Sequence, residues 1–274
     1  LTCLLVLVTV VAEAQSFYSV RRNRALILSV GTGTSTYFGE LKNKGDFMDA
    51  KPNITAGLSY FVLPNVAVRG DVTWFQLSGT DAEADDPSRV ARNLSFSANN
   101  FEVAFTGALN LREHPYRYYQ RPNFNGYVFL GLALLYSNPA ADYNGGRYAL
   151  QPMQTEGVKY SRLNIAIPFG AGVRLKVSPF LNLALEGGYR KTFTDYLDDV
   201  STVHPDKTGW DATRAALSDR RPELGLAPYE PGTQRGNPDK DDGYFLLNFK
   251  VEYFLPTNFK SPNSYRKVRR PYRR

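Results

Sequence analysis

The stretch Ile165-Ala-Ile-Pro-Phe-Gly-Ala-Gly-Val-Arg-Leu-Lys-Val177 decides the fold class, because its side chains alternate between two unlike faces. Its odd positions hold only apolar side chains. The even positions from 168 onward carry Pro168, Gly170, Gly172, Arg174 and Lys176. A period of two residues is that of a β-strand, whose successive side chains point to opposite faces. The stretch therefore predicts a strand with one apolar face and one face of small and cationic residues.

The same alternation recurs eight times along the chain and predicts an all-β protein. The predicted strands are residues 25–34, 53–62, 66–78, 94–110, 126–137, 163–177, 181–192 and 243–255. Short connections alternate with long ones, of which residues 193–242 are the longest. If both termini lie on one side, the long loops all lie on the other, as in outer-membrane barrels. We therefore predict an eight-stranded antiparallel transmembrane β-barrel with short periplasmic turns and long extracellular loops.

The second faces of these strands carry nine ionisable residues that an apolar core could not accommodate. The lumen of an eight-stranded barrel is filled by side chains, so it can hold them as a hydrogen-bonded ionic network. The apolar faces would then contact outer-membrane lipid. The alternative is a soluble, half-exposed sheet whose charges face water. The predicted lumen network comprises Arg69, Asp71, Glu102, Arg174, Lys176, Glu186, Arg190, Lys250 and Glu252.

Composition narrows the possible functions further. The 274 residues carry a formal net charge of +7, and residues 256–274 alone hold seven Lys or Arg and no acid. The rest of the chain is close to neutral, which argues against a nucleic-acid-binding body with a broad basic face. The mean hydropathy is −0.36, and no apolar run is long enough for a membrane-spanning helix. A membrane barrel remains compatible with these values, because its alternating strands average to a polar score.

The N-terminal segment is predicted to direct export. Residues 1–11 are almost wholly apolar and precede Ala12-Glu-Ala14, the pattern of a secretory signal peptide cleaved after residue 14. The only cysteine, Cys3, lies inside this segment, so the mature chain offers no disulfide or thiolate. We therefore predict a signal peptide (1–14), an outer-membrane barrel (15–255) and a basic periplasmic tail (256–274), with both termini periplasmic.

No motif of catalysis or cofactor binding stands out in the sequence. His114 and His204 lie in connections and are interpreted as surface residues. Ser201 and His204 are close in sequence, but no third group orients them as a nucleophile and base. We therefore expect no enzymatic activity, no cofactor and no small-molecule substrate.

An acidic cluster, Asp195, Asp198 and Asp199, follows the seventh strand. Such oxygen ligands can bind calcium, but the favoured interpretation is a hydrogen-bonded loop without a metal. The stretch Asn237 to Asp242 is interpreted as ordinary loop sequence.

The basic tail is a candidate partner-binding segment. It would lie in the periplasm, where nucleic acid is absent, so the suitable partners are an acidic protein surface, peptidoglycan or anionic lipid. The alternative is a solvated tail without a partner. The cationic residues assigned to binding are Arg266, Lys267, Arg269, Arg270, Arg273 and Arg274.

Four stretches resemble a family of small outer-membrane barrels from the Bacteroidetes. The most specific is Gly187-Gly-Tyr-Arg-Lys-Thr-Phe-Thr-Asp-Tyr-Leu-Asp-Asp-Val-Ser-Thr202. Residues 35–41 (STYFGEL), 167–173 (IPFGAGV) and 235–245 (RGNPDKDDGYF) are also similar, with Glu40 where the family usually has Asp. The family includes PorG, a component of the type IX protein secretion system.

The resemblance implies a non-enzymatic barrel that associates with the periplasmic PorK/PorN-type ring of that secretion system. The family segment at the external end of strand seven would be Thr192, Phe193, Thr194, Asp195, Tyr196, Leu197, Asp198 and Asp199. Because Tyr196 and Leu197 lie between acids, this segment is expected to fold back on the barrel rim. Two alternatives remain: an OmpX-like surface barrel that binds an external partner through its long loops, and a lipid-modifying barrel enzyme.

Overall fold

The computed structural model describes residues 25–43, 50–115 and 120–255. The predicted signal peptide, the basic tail and the six cationic residues assigned to binding lie outside these residues. None of the helices in the described ranges has the length and apolar character needed to cross a membrane.

The described residues form ten strands, three short α-helices and one 3-10 turn, the last at Arg221–Leu224. The strands are β1 (Leu26–Phe38), β2 (Lys51–Phe61), β3 (Val66–Thr80), β4 (Ser95–Asn110), β5 (Phe124–Tyr136), β6 (Pro139–Tyr143), β7 (Gly146–Ala149), β8 (Leu163–Lys176), β9 (Leu181–Thr192) and β10 (Gly243–Leu255). The helices are α1 (Pro87–Arg92), α2 (Leu150–Met153) and α3 (Ala212–Ser218).

Eight of these strands close into an antiparallel barrel. Consecutive barrel strands are hydrogen-bonded neighbours, in the order β3-β2-β1-β10-β9-β8-β5-β4. The sheet closes because β3 also pairs with β4 along its whole length, from Val66 opposite Leu109 to Thr80 opposite Ser95. Closure leaves no unpaired barrel edge. The predicted all-β fold and its eight antiparallel strands are confirmed, with strand ends that differ from the predicted ones by a few residues.

Alternation along each strand separates a polar interior from an apolar exterior. In β3, Arg69, Asp71 and Thr73 are buried, whereas Val68 and Val72 are about half exposed. The same exterior face includes Phe105 at 68% exposure and Leu132 at 62% exposure. A largely apolar outer wall around a charged interior reverses the arrangement of a soluble barrel.

Three long connections pack together at one end of the barrel. We call them the cap and define it as residues 81–94, 137–162 and 193–242. The upper ends of β3 and β4 extend into it, and β6 adds to β4 with Ser97 opposite Ala140. Leu197 and Val200 from the cap pack with Leu77 and Leu246 from the barrel in one buried apolar cluster. The expectation that the family segment folds back on the rim agrees with this burial.

Candidate functional site

Four charged side chains meet at the centre of the lumen. Arg69 donates to Glu186 from both terminal nitrogens, at 2.7 Å and 3.1 Å, and to Asp71 at 3.0 Å. Lys250 donates to Glu186 at 2.9 Å and lies 3.5 Å from Asp71. Tyr127 donates its hydroxyl proton to Glu186 at 2.7 Å. Two cations thus neutralise two carboxylates, which is required when all are removed from water.

A second group fills the lumen toward the short turns. The Nε of Arg174 donates to both oxygens of Glu252, at 2.8 Å and 3.0 Å, and Asn182 donates to Glu252 at 3.0 Å. Arg121, from the connection between β4 and β5, donates to Asn182 at 2.9 Å and to three backbone carbonyls of the β8–β9 turn. This connection therefore closes the lower end of the barrel.

The remaining predicted lumen residues lie at the two ends of the network. Toward the cap, Arg190 lies 3.4 Å from Glu102, and Tyr244 donates its hydroxyl proton to the same carboxylate. Lys176 is half-buried at the short-turn end, beside a small cavity. The structure thus places eight of the nine predicted side chains inside the lumen and one at its lower rim.

The packed lumen leaves little open space. One cavity at the lower end measures 20 Å³ and is lined by His114, Arg174 and Phe254 among others. A second, among Arg69, Glu186 and their neighbours, measures 10 Å³. Each has room for about one water molecule. His114, interpreted as a surface residue, instead stacks on Phe61 with 4.3 Å between ring centroids and helps to cover this end.

Arg235 forms hydrogen bonds to several separate residues of the cap. It donates to Glu156 at 2.7 Å and also to the backbone carbonyls of Asp199 and Ser218. Glu156 in turn accepts from the backbone N–H of Ser201 at 2.9 Å. Burial alone would raise the pKa of Glu156, but the Arg235 charge and the donated hydrogen bonds outweigh it and lower that pKa. One ion pair therefore connects residues 137–162 of the cap with residues 193–242.

The acidic cluster of the family segment lies at the base of the cap. Asp198 and Asp242 both lie 2.7 Å from the hydroxyl oxygen of Tyr37, at the end of β1. Asp199 accepts from the hydroxyls of Thr155 and Tyr160. Burial raises the pKa of Asp199 to about 6 and that of Asp198 to about 7.

Asp195 completes the cluster; the Ser201 side chain lies beside it, but neither carboxylate oxygen has a donor in good hydrogen-bond geometry among the described residues. Burial raises its pKa to about 8. In the described ranges, no group of three or more His, Cys, Asp or Glu side chains is arranged to hold a metal ion.

The interpretation of His204 as a surface residue is wrong. His204 is 1% exposed and stacks on Tyr229, with ring centroids 4.5 Å apart. Neither ring nitrogen has a hydrogen-bond partner among the described residues, and this includes Ser201. Burial lowers the pKa of His204 to about 4. The fold of residues 201–236 buries the ring, and sequence spacing carried no signal of that.

Sequence reasoning also missed three cap residues and Glu40, which follows β1. Asp242, interpreted as ordinary loop sequence, is 1% exposed and belongs to the acidic cluster. Glu156 and Arg235 are distant in sequence but paired, and Glu40 accepts from the backbone N–H of Asn237. Burial of residues in irregular connections leaves no periodic pattern in the sequence. The signal that could have pointed to Glu40, Arg235 and Asp242 was the similarity of residues 35–41 and 235–245 to the barrel family.

Comparisons with known proteins add the following. A family model described as "Domain of unknown function (DUF6089)" matches residues 3–214. Among curated proteins, none matches the sequence. Neisserial surface protein A is similar in structure, with 10% identity, a TM-score of 0.46 and coverage of 84% of this chain and 97% of that one.

Two further outer-membrane proteins are similar. The attachment invasion locus protein Ail of Yersinia pestis has 9% identity, a TM-score of 0.41 and coverage of 84% and 99% of the two chains. OprG of Pseudomonas aeruginosa has 7% identity, a TM-score of 0.40 and coverage of 86% and 100%. Because these likenesses are distant, the barrel assignment rests on the closed strand pairing of this chain itself.

Proposed function

The chain belongs to the family described as Domain of unknown function (DUF6089), and from that premise we propose that it is a non-enzymatic outer-membrane barrel that acts as an anchor. The observation that carries this proposal is the combination of an apolar outer wall with a lumen closed by buried ion pairs. The wall suits lipid, because a closed barrel satisfies every strand hydrogen bond within the bilayer. The filled lumen suits an anchor better than a diffusion pore.

The finer proposal is a component of the type IX protein secretion system. On this proposal residues 1–14 are removed on export, and both termini lie in the periplasm. The tail at residues 256–274 then binds the PorK/PorN-type ring and anchors it to the outer membrane. Two features support it: the similarity of residues 187–202 to the barrel family that includes PorG, and seven bases without an acid in the tail.

The test is affinity purification of the tagged protein from detergent-solubilised outer membranes of a host with this secretion system. The full chain is compared with a variant truncated after Leu255. Recovery of ring proteins with the full chain alone supports the anchor and places the contact on the tail. Recovery with both forms supports the anchor but moves the contact to the periplasmic turns. Recovery with neither form contradicts the secretion role.

A surface barrel that binds an external partner is the second candidate. The observation that favours it is apolar exposure on an otherwise compact cap: Val203, Leu224 and Leu226 are 45%, 48% and 39% exposed. Exposed apolar side chains mark a contact site when they form a contiguous patch, and Leu224 and Leu226 are only two residues apart. Replacing Leu224 and Leu226 with Ser should then abolish surface binding and leave recovery of periplasmic proteins unchanged. The secretion anchor predicts no loss of function in this double variant.

A further inference from the structure

One phenol hydroxyl lies between two buried carboxyl groups where the cap meets the barrel. The hydroxyl oxygen of Tyr37 is 2.7 Å from Asp198 Oδ2 and 2.7 Å from Asp242 Oδ1. All three residues are 1% exposed. The other carboxylate oxygens are occupied, since Asp198 accepts from the N–H of Val200 at 2.9 Å and Asp242 accepts from the N–H of Leu197 at 3.0 Å.

The hydrogen count of this arrangement requires one additional proton. A tyrosine hydroxyl has a single proton and can donate to only one carboxylate. The second contact, also at hydrogen-bond distance, is satisfied only if that carboxyl group is protonated and donates to the phenol oxygen. Two adjacent carboxylates removed from water also repel each other, so one of them retains its proton.

The charged groups around the pair favour the protonated form. Glu40, which follows β1, and Asp195 from the cap both face it, so ionisation of either one would add negative charge beside the pair. Arg92 of α1 is the cation that faces Asp198, and it is already hydrogen-bonded to Asp81 at 2.7 Å and 2.9 Å. Tyr189 faces Asp242 from the barrel wall. Burial raises the pKa of Asp242 well above its usual range, with the Asp198 charge as the next cause.

The pair holds the cap where the longest connection leaves and re-enters the barrel. Asp242 donates its N–H to Thr194 at 3.0 Å and accepts at its carbonyl from the Thr192 hydroxyl at 2.6 Å. Asp198 is on the departing side and Tyr37 is on β1, so the shared proton joins both sides of the connection to the wall. Leu197 and Val200, which flank this contact, are buried in the apolar cluster.

We propose that Asp198, Tyr37 and Asp242 form a proton-dependent latch that keeps the cap closed on the barrel and loosens residues 195–204 as the pH rises. The retained proton stabilises the closed cap, and an opened cap exposes both carboxyls to water, where they ionise at their ordinary pKa of about 4. The contribution of this proton to the stability of the closed cap is therefore at its maximum below about pH 4. That contribution decreases as the pH rises from about 4 to neutrality. The latch is independent of the partner that the barrel anchors.

Hydrogen exchange measured by mass spectrometry on the full chain in lipid nanodiscs tests the latch. Wild type and D242N are compared at pH 5, 6 and 7. The side-chain amide that D242N introduces can donate to the Tyr37 oxygen without a titrating proton, while its carbonyl accepts from Leu197. The exchange rate of residues 195–204 in wild type, divided by that in D242N, should rise about tenfold per pH unit. The ratio cancels intrinsic exchange and all titrations common to both proteins.

D206N provides the matched control, because Asp206 is an exposed acid of the same connection. The ratio of wild type to D206N should stay constant over this range. D198N removes the same shared proton from the other side and should reproduce the D242N result, including in the case that D242N does not fold. A wild-type ratio that stays within about twofold against both D242N and D198N overturns the latch.

Discussion

At the scale of single residues, the molecule depends on buried charges that are paired across strands. Arg69 is central among them, because it contacts Glu186 with both terminal nitrogens and Asp71 with one. Its guanidinium also lies 5.1 Å from the ring of Phe129. A buried ion pair adds little net stability over an apolar pair, but removing one partner leaves an uncompensated charge.

We therefore expect Arg69→Leu to lower the free energy of unfolding by about 3 to 5 kcal/mol, since Glu186 and Asp71 keep only Lys250 as a cation. Denaturant unfolding of the protein refolded in detergent micelles measures the change. Lys191→Leu is the control, because Lys191 is an exposed strand residue, and its effect should stay within about 0.5 kcal/mol. Equal stability of the two variants would contradict the paired-lumen interpretation.

His204 gives a second prediction at this scale, of opposite sign to the latch. Because burial lowers its pKa from 6.5 to about 4, the closed cap loses stability as the pH falls through this window. Against His204→Phe, which keeps the stacking on Tyr229 but cannot titrate, the wild-type exchange rate of residues 229–236 should rise about tenfold per pH unit below about pH 6.5. A ratio that does not change between about pH 6.5 and 4.5 would show that this ring is solvated.

At the scale of elements, the cap is a small folded layer made from connections that lack long secondary structure. Its longest helix, α3, has seven residues, so helix formation contributes little to its stability. Side-chain hydrogen bonds to backbone groups replace that contribution. Glu156 alone accepts from the N–H groups of Ser201 and Thr202 and from the Arg235 guanidinium.

We expect Arg235→Ala to loosen the cap without unfolding the barrel, because it leaves Glu156 buried without its cation. Proteinase K should cleave residues 205–231 at least about tenfold faster than in wild type, while a barrel fragment persists. Arg147→Ala removes an exposed arginine of β7 and should leave the cleavage rate unchanged. Loss of the barrel fragment in the Arg235 variant would mean that cap and barrel unfold as one unit.

At the scale of the whole molecule, both ends of the barrel are covered. Arg121 and His114 lie across the short-turn end, and the cap covers the other. Between them the lumen is occupied by ion pairs and by aromatic side chains such as Tyr127 and Tyr244, each at most 2% exposed. The lumen is therefore filled by side chains. Contacts with other molecules must lie on the outer surfaces of the barrel or on segments beyond the strands.

Because side chains fill the lumen, we expect the barrel not to conduct ions. The full-length protein inserted in a planar lipid bilayer should give no stepwise current above the lipid baseline, because the side chains that the structure describes fill the lumen. A large porin under the same conditions serves as the positive control, and protease protection of the barrel confirms insertion. Reproducible current steps of the purified protein would contradict the anchor proposal directly.

The sequence by itself determined the barrel and the side of each strand. Strand alternation has a period of two, so a residue such as Arg174 or Phe105 is assigned to a face without knowledge of its neighbours. Nine charges on one face and an apolar belt on the other then indicate a lumen and a lipid surface. Which charges pair, as Arg69 does with Glu186, depends on register and closure.

Only the tertiary structure decided the cap. Asp242, His204 and Arg235 lie in irregular connections whose sequence has no periodicity to reveal burial, and their partners are 205, 25 and 79 residues away along the chain. Side chains in such segments are buried when distant stretches pack together, which local sequence patterns do not encode. The proton shared by Tyr37, Asp198 and Asp242 depends on this long-range packing, because these three residues come from distant parts of the sequence.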